Sequence, residues 1–501
     1  MDIGLRPGSP LAAIDMGSNS FRLEIGQLPQ TRYRRIDYLK ETVRLGAGLD
    51  ANGMLTEEAA QRGLVCLRRF ASRLAGFAPG QVRAVATQTL REARNRNAFL
   101  LRAQEALGHP IEVISGREEA RLIYAGVAHM QPSDEPRLVV DIGGRSTEMI
   151  RGQGRTPQVA ESFRVGCVSL SMRFFEGGQI TRNGFRAAQV AAGAEFEEGL
   201  QSFAPKLWGQ ALGSSGTAGA VSQLLQASGV TDGRITPAGL RWCMARCLDA
   251  GQVDRIDLPG LKPERRAVLP GGLAILYTLS AHFDIRALWP AKGALRQGVI
   301  VDLHERLLAM HRALPGDMRD TSVADLQRRF GVDPGQAARV AAVALALFDS
   351  AVPDPDPETR RELAWACALH EVGLMVSHHD HHRHSAYLLG NVDAPGFSQS
   401  QQRRIGDLVL GQRGGLRKIE PQLASETFAW QVLCLRLAVV KCHARGPANP
   451  NALRLRATGR DAVLAHSAAW AEANPRTLFL LQEEATTWAR SGPLRVVLAV
   501  A

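Results

Sequence analysis

Two stretches of this chain, 126 residues apart, share one pattern, and no other feature restricts the fold as tightly. Residues 11–24 read LAAIDMGSNSFRLE: an apolar run ends at Asp15, the small polar residues Gly17, Ser18, Asn19 and Ser20 follow, and the chain then alternates through Phe21, Arg22 and Leu23. Residues 137–149 read RLVVDIGGRSTEM, with Asp141, then Gly143, Gly144, Arg145, Ser146 and Thr147, then another alternating tail. Each stretch predicts a strand, a small polar turn and a second strand. Turn residues of this kind tolerate unusual backbone angles and expose N–H groups, so each turn can cradle an anion. Asp15, at a strand end, is placed to hold a metal or a metal-bound water. The first stretch is not a Walker loop, because no Gly-Lys-Ser/Thr follows. One copy alone would more readily be a surface hairpin. Two copies one small domain apart predict two similar α/β lobes that point phosphate-binding turns at a shared cleft.

The intervening segments extend that reading. Residues 31–43 read as a strand pair, 56–74 as a helix capped by Thr56, and 82–86 as a strand leading to Arg91, which either reaches the cleft or sits solvated at a helix start. Ser115 is the expected N-cap of a helix whose first turn carries Glu118 and Glu119; acids there ordinarily just complement the helix dipole. Residues 161–165 read as a strand. Residues 211–219, ALGSSGTAG, place Gly213, Ser214, Ser215, Gly216 and Thr217 where a strand feeds a helix, a standard anion-binding arrangement that tight packing would equally explain. From about residue 309 strand signals fade and helices are expected over 323–330, 334–350, 357–373, 398–410 and 425–444. Residues 453–501 read as strand, helices and strand. The expected divisions are 1–124 and 125–308 for the lobes, 309–445 for an all-α domain and 446–501 for a small α/β domain.

A chain of 501 residues needs more than one core. The longest apolar run, near residues 340–348, suits a buried helix rather than a bilayer span, and the opening MDIGLRPGSP has no apolar signal-peptide core. Seven Cys without a CxxC spacing suggest reduced thiols and a cytoplasmic setting. The net charge of +11 favours acidic partners: nucleic acid, polyphosphate or an anionic membrane surface met peripherally. The basic residues are overwhelmingly Arg, the better bidentate phosphate ligand. Without RGG repeats, zinc-finger spacings or aromatic-rich basic stretches, nucleic acid is not the expected polyanion. The run His370, Glu371, His378, His379, His381, His382 and His384 could be a metal cluster, an anion channel or a solvated helix connection; spacing does not choose among these.

At this level of detail the chain resembles the bacterial exopolyphosphatase/guanosine pentaphosphate phosphatase family. The matching pieces are DMGSNSFR from Asp15, ATQTLR from Ala86, SGREEARL from Ser115, DIGGRSTE from Asp141, GSSGT from Gly213, PGG from Pro270 and GALRQG from Gly293; LHEVG from Leu369 and HRHSAY from His382 match downstream. The resemblance covers nearly the whole length and points to the long, four-domain form. It implies a duplicated actin/Hsp70-like (ribonuclease H-like) fold followed by an HD-like helical domain, a Mg²⁺-dependent site between the lobes, release of terminal phosphate, and a homodimer. By resemblance Glu119 is the catalytic base, Asp141 and Glu148 are metal-site positions, and the glycine-rich turns are phosphate loops. The HD pair reads His370-Glu371, which puts a second metal site in doubt. Where the family usually has a third glycine this chain has Arg145, expected to add a cation beside the phosphates.

The expected chemistry is hydrolysis of the terminal phosphoanhydride of inorganic polyphosphate. Hairpin amides, Arg22, Arg91, Arg145, Arg265 and Mg²⁺ would neutralise the phosphoryl group, Asp15, Asp141 and Glu148 being the candidate metal residues, while Glu119 activates water. Guanosine pentaphosphate as substrate, alone or in addition, is the nearest alternative. A kinase of the same superfold would need an acceptor pocket that no sequence feature specifies, and a non-catalytic polyphosphate-binding regulator would not need Glu119 in its motif.

Overall fold

A computed structural model describes residues 8–29, 32–312, 317–458 and 460–500. The chain divides into two compact units, Met1–Asp317 and Met318–Ala501. Of the expectations above, those on the first seven residues and on Thr31 lie outside the described residues.

The first unit contains two copies of one five-stranded sheet. In the first, β1 (Leu11–Met16), β2 (Phe21–Gln27), β3 (Arg34–Glu41), β4 (Val82–Ala86) and β5 (Ile111–Val113) lie in the order β3-β2-β1-β4-β5. In the second, β6 (Arg137–Ile142), β7 (Thr147–Gln153), β8 (Thr156–Phe163), β9 (Gln210–Ser214) and β10 (Leu288–Pro290) lie in the order β10-β9-β6-β7-β8, the same topology read from the other edge. β1 pairs antiparallel with β2 and parallel with β4, as β6 does with β7 and β9. The register irregularities also correspond, at Ile25/Gly26 and Arg151/Gly152. β1 and β6 are buried along their whole length, which is why they read as unbroken apolar runs rather than as alternation.

Residues 31–43 give the single strand β3 rather than a strand pair, and the strand expected at 161–165 is instead β8, which begins earlier and ends at Phe163. In both places the partner, β2 or β7, decides which residues form the ladder, information that local alternation does not carry.

Each lobe has its own core. Phe21, Leu64, Phe70 and Phe99 pack in the first. In the second, Phe163, Phe196, Phe203 and Phe283 meet edge-on with centroids 5.2–6.4 Å apart. A further apolar cluster, including Leu122, Val139, Leu212 and Val299, joins the sheets through the helices Gly116–Met130 and Leu295–Arg312. These helices touch backbone to backbone: a Cβ on Gly298 would lie 1.7 Å from the Leu122 carbonyl oxygen, so only glycine permits the approach. Beside them, buried Asp302 accepts from Arg83 and Arg121, each at 2.6 Å, and pairs with Arg306 at 2.7 Å; Arg121 also grips Glu118 at 2.8 Å. The residue next to Glu119 is thereby anchored.

The second unit is helical from Met318 to Lys441, with Asp356, Ser398 and Ser425 capping three of its helices as their residue types favour. It ends in the sheet β11 (Leu453–Thr458), β12 (Asp461–His466) and β13 (Arg495–Val500), in the order β11-β12-β13. β12 falls where helix was expected. Among the described residues no helix is long and apolar enough to cross a membrane.

Candidate active site

The two hairpin turns face each other. A Cβ on Gly144 would lie 3.1 Å from that of Ser18, and the Ser18 hydroxyl accepts from Thr89 at 2.7 Å. The turns are also built alike: a Cβ on Gly17 would meet the Ser20 carbonyl oxygen at 3.1 Å, and one on Gly143 the Ser146 carbonyl oxygen at 3.1 Å. Between them lies a cleft lined by Asp15, Gly17, Ser18, Asn19, Ser20, Arg22, Glu119, Asp141, Gly143, Gly144, Ser146, Glu148, Ser215, Gly216, Thr217 and Arg265, all nominated from sequence. Thr87, Cys167 and Arg296 line it as well and were not nominated.

The duplicated register has diverged at one position. Asp15 stands opposite Arg22 across β1 and β2 and pairs with it at 3.3 Å. At the equivalent place Asp141 stands opposite Glu148 across β6 and β7, so two buried carboxylates face each other. Like charges directly opposed on a sheet repel. Burial pushes the carboxyls of Asp141 and Glu148 upward, Glu148 well above the ordinary range, with Glu119 and Asp141 adding to the rise at Glu148. The Ser162 hydroxyl donates to Glu148 at 2.8 Å.

Glu119 sits in the first turn of its helix because Ser115 caps that helix, accepting from the Glu118 N–H at 3.1 Å. Burial raises its carboxyl pKa; Arg91, donating at 2.8 Å, opposes the rise, and Asp15 and Asp141 reinforce it. Arg91 spends its other donors on Gln88 and on the Ile114 carbonyl, so it holds Glu119 in place and does not line the cleft.

Three further residues behave differently from expectation. Arg145 has no positive φ, and its guanidinium bonds Glu92 at 2.9 Å and the Gly46 carbonyl at 3.2 Å and does not line the cleft. Gly213 and Ser214 sit behind the loop: Ser214 donates to the Gly293 carbonyl at 3.1 Å, and a Cβ on Gly213 would strike Ala218 at 2.7 Å. The next residue, Ser215, holds φ +62°, an uncommon angle for serine, at the point where the strand turns into its helix. Arg265 lies directly over the next loop residue, where a Cβ on Gly216 would be 2.1 Å from its guanidinium.

Arg296, in the first turn of the helix Leu295–Arg312, was legible only as part of GALRQG. Its side chain reaches Glu24 at 3.1 Å and Asp15 at 3.6 Å, contacts that span most of the unit and leave no local signal.

Among the described residues no three His, Cys, Asp or Glu side chains converge as a protein-only metal site, in the His-rich run or elsewhere. Mg²⁺ does not require one, since it is ordinarily held by one or two carboxylates with water and substrate phosphates. The opposed, mutually repelling Asp141 and Glu148 fit such an ion. Asp15, engaged by two guanidinium groups, fits it less well.

Fold and site together define a two-lobed, actin-like protein of the phosphoryl-handling class. The model of the Ppx/GppA phosphatase family matches residues 30–307, and that of Ppx/GppA phosphatase, domain III, matches residues 318–485. Solved structures agree. The chain is similar to an exopolyphosphatase-like protein (25% identity, TM-score 0.55, covering 61% of this chain and 100% of that one). It is similar also to the PPX-GPPA enzyme of Aquifex aeolicus (25%, 0.50, 59% and 99%) and, in fold, to an exopolyphosphatase from Cytophaga hutchinsonii (24%, 0.54, 60% and 98%). The chain belongs to the Ppx/GppA phosphatase family.

Proposed function

We propose that this phosphatase is an exopolyphosphatase, removing the terminal phosphoryl group of inorganic polyphosphate as orthophosphate. The observation that carries the reading is one cleft at two facing turns that holds both carboxylates, Glu119, Asp141 and Glu148 among them, and guanidinium groups, those of Arg22, Arg265 and Arg296. A polyanion's end needs both: cations and amides to neutralise its oxygens, and a carboxylate to prime water.

In this mechanism the turn amides and hydroxyls at Ser18–Ser20 and Gly143–Ser146 receive the terminal phosphoryl oxygens. Glu119, held by Arg91, accepts a proton from the attacking water as its oxygen bonds to phosphorus and the bridging oxygen departs with the shortened chain. A raised carboxyl pKa suits a base that must take up a proton near neutral pH. Asp141 and Glu148 would hold Mg²⁺, which would supply neutralisation of charge on phosphoryl oxygens. The four-domain division and a homodimer belong to the same proposal.

A second reading, guanosine pentaphosphate as substrate, draws on a recess of about 240 Å³ beside Ser18 and Asn19, lined in part by Val168, Met172, Phe175, Val253 and Val268, an apolar lining suited to a base. One experiment separates the readings: long-chain polyphosphate, guanosine pentaphosphate and ATP assayed in parallel, with Mg²⁺ and with EDTA, following orthophosphate and remaining chain length. Release from polyphosphate with stepwise shortening supports the first. Release from the nucleotide alone replaces it with the second. No release from either leaves a polyphosphate-binding regulator as the better account.

A further inference from the structure

Buried inside the first lobe, and not itself lining the cleft, is a carboxylate with a full set of donors. Glu24 is completely buried on β2. It accepts from Gln297 at 2.6 and 2.8 Å, from the Tyr33 hydroxyl at 2.5 Å and from Arg296 Nε at 3.1 Å. Tyr33 gets there because Gly26 leaves room: a Cβ at Gly26 would lie 2.7 Å from the phenol oxygen. Burying a carboxylate is costly unless every oxygen is satisfied, and here that condition is met.

What this arrangement orients is Arg296. One side of its guanidinium is bound to Glu24, and Tyr38 covers the group with its ring centroid 5.2 Å from Cζ. Arg296 lines the cleft, and on the side away from the Glu24 contact its Nη1 is buried without a hydrogen-bond partner, 3.6 Å from Asp15. A buried guanidinium nitrogen left unbonded costs free energy that an incoming oxyanion would recover. Arg22 Nε and the Ser20 hydroxyl, of two other residues that line the cleft, are buried and unbonded too.

We infer that Arg296 is a substrate-binding residue that donates through Nη1 to a phosphoryl oxygen, and that Glu24, supported by Tyr33 and Gln297, is its positioning residue. Asp15 then has a different task from the one its motif suggested: it keeps the guanidinium groups of Arg22 and Arg296 at the cleft floor. The inference rests on the phosphatase reading above and names a contact within that site.

The test is tripolyphosphate binding by titration calorimetry on the full chain, in EDTA and, with Mg²⁺, in the Glu119→Gln background. Arg296→Ala is expected to weaken binding about 10- to 100-fold, the loss of a charge-assisted contact. Glu24→Gln is expected to weaken it less when Arg296 is present and not at all when Arg296 is Ala, a coupling that a merely structural role for Glu24 would not produce. Arg296→Lys keeps the charge but cannot bond Glu24 and the ligand through separate nitrogens, so it should not restore affinity. Thermal melts establish that each variant is folded; if Arg296→Ala does not fold, Arg296→Lys carries the comparison. Affinity of the Arg296 variants within about twofold of the parent, well short of the loss expected for such a contact, overturns the inference and leaves the phosphatase reading standing. A parent protein that binds no tripolyphosphate and releases no phosphate overturns both.

Discussion

Gly216→Ala should disable substrate binding without unfolding the protein. The added methyl would sit 2.1 Å from Arg265 Nη2, 2.8 Å from Cζ and 3.0 Å from Nη1. Ordinary contact between such atoms begins near 3.5 Å, so the guanidinium must retreat by roughly 1.4 Å or more. What moves is the end of a flexible side chain, not backbone, and alanine is the better helix former at this second position of the helix Ser215–Ala227. Folding stability should therefore hold. Binding should not: a displaced guanidinium forfeits a charge-assisted contact of about 1.5–3 kcal/mol, or roughly 10- to 150-fold in KM for polyphosphate. The control is Gly219→Ala on the same helix, where a Cβ would meet nothing within 4 Å. The measurements are steady-state orthophosphate release against substrate concentration, with melting temperatures alongside. An unchanged KM in a folded Gly216→Ala protein would refute the reasoning, because Arg265 would then have moved without consequence.

Glu119→Gln should leave polyphosphate binding largely intact and cut turnover by on the order of 10²-fold or more; equal turnover would remove Glu119 from the role of base. Arg145→Gly should leave turnover nearly unchanged and cost no more than about 1 kcal/mol in urea melts, because it removes the half-exposed tie to Glu92 rather than a cleft cation; a large fall in turnover would restore Arg145 to the site. In the second unit, burial lowers the pKa of His370 to about 4, its Nδ1 donating to the Cys367 carbonyl at 2.7 Å. The unfolded chain therefore takes up this proton first: stability is full above the unfolded value near 6.5, falls as pH drops from there to about 4, and loses up to about 3 kcal/mol on this account. Urea melts of wild type and His370→Gln at pH 7, 5.5 and 4.5 should differ in slope over that window; parallel slopes would show that His370 titrates normally.

The sequence by itself determined the doubled architecture and most of the cleft. Buried central strands must be apolar throughout, a turn that presents amides must be small and polar, and a helix start needs a cap, so the motifs at Asp15, Ser115, Asp141 and Ser215 are each visible within a few residues. Tertiary structure alone decided where the guanidinium groups go. Arg145 turns to Glu92, Arg91 spends itself on Glu119, and Arg296 enters the cleft from a partner 272 positions away. A long cationic side chain takes whichever carboxylate or carbonyl packing brings within reach, and that competition is settled only after the sheets and the two crossing helices have closed on one another.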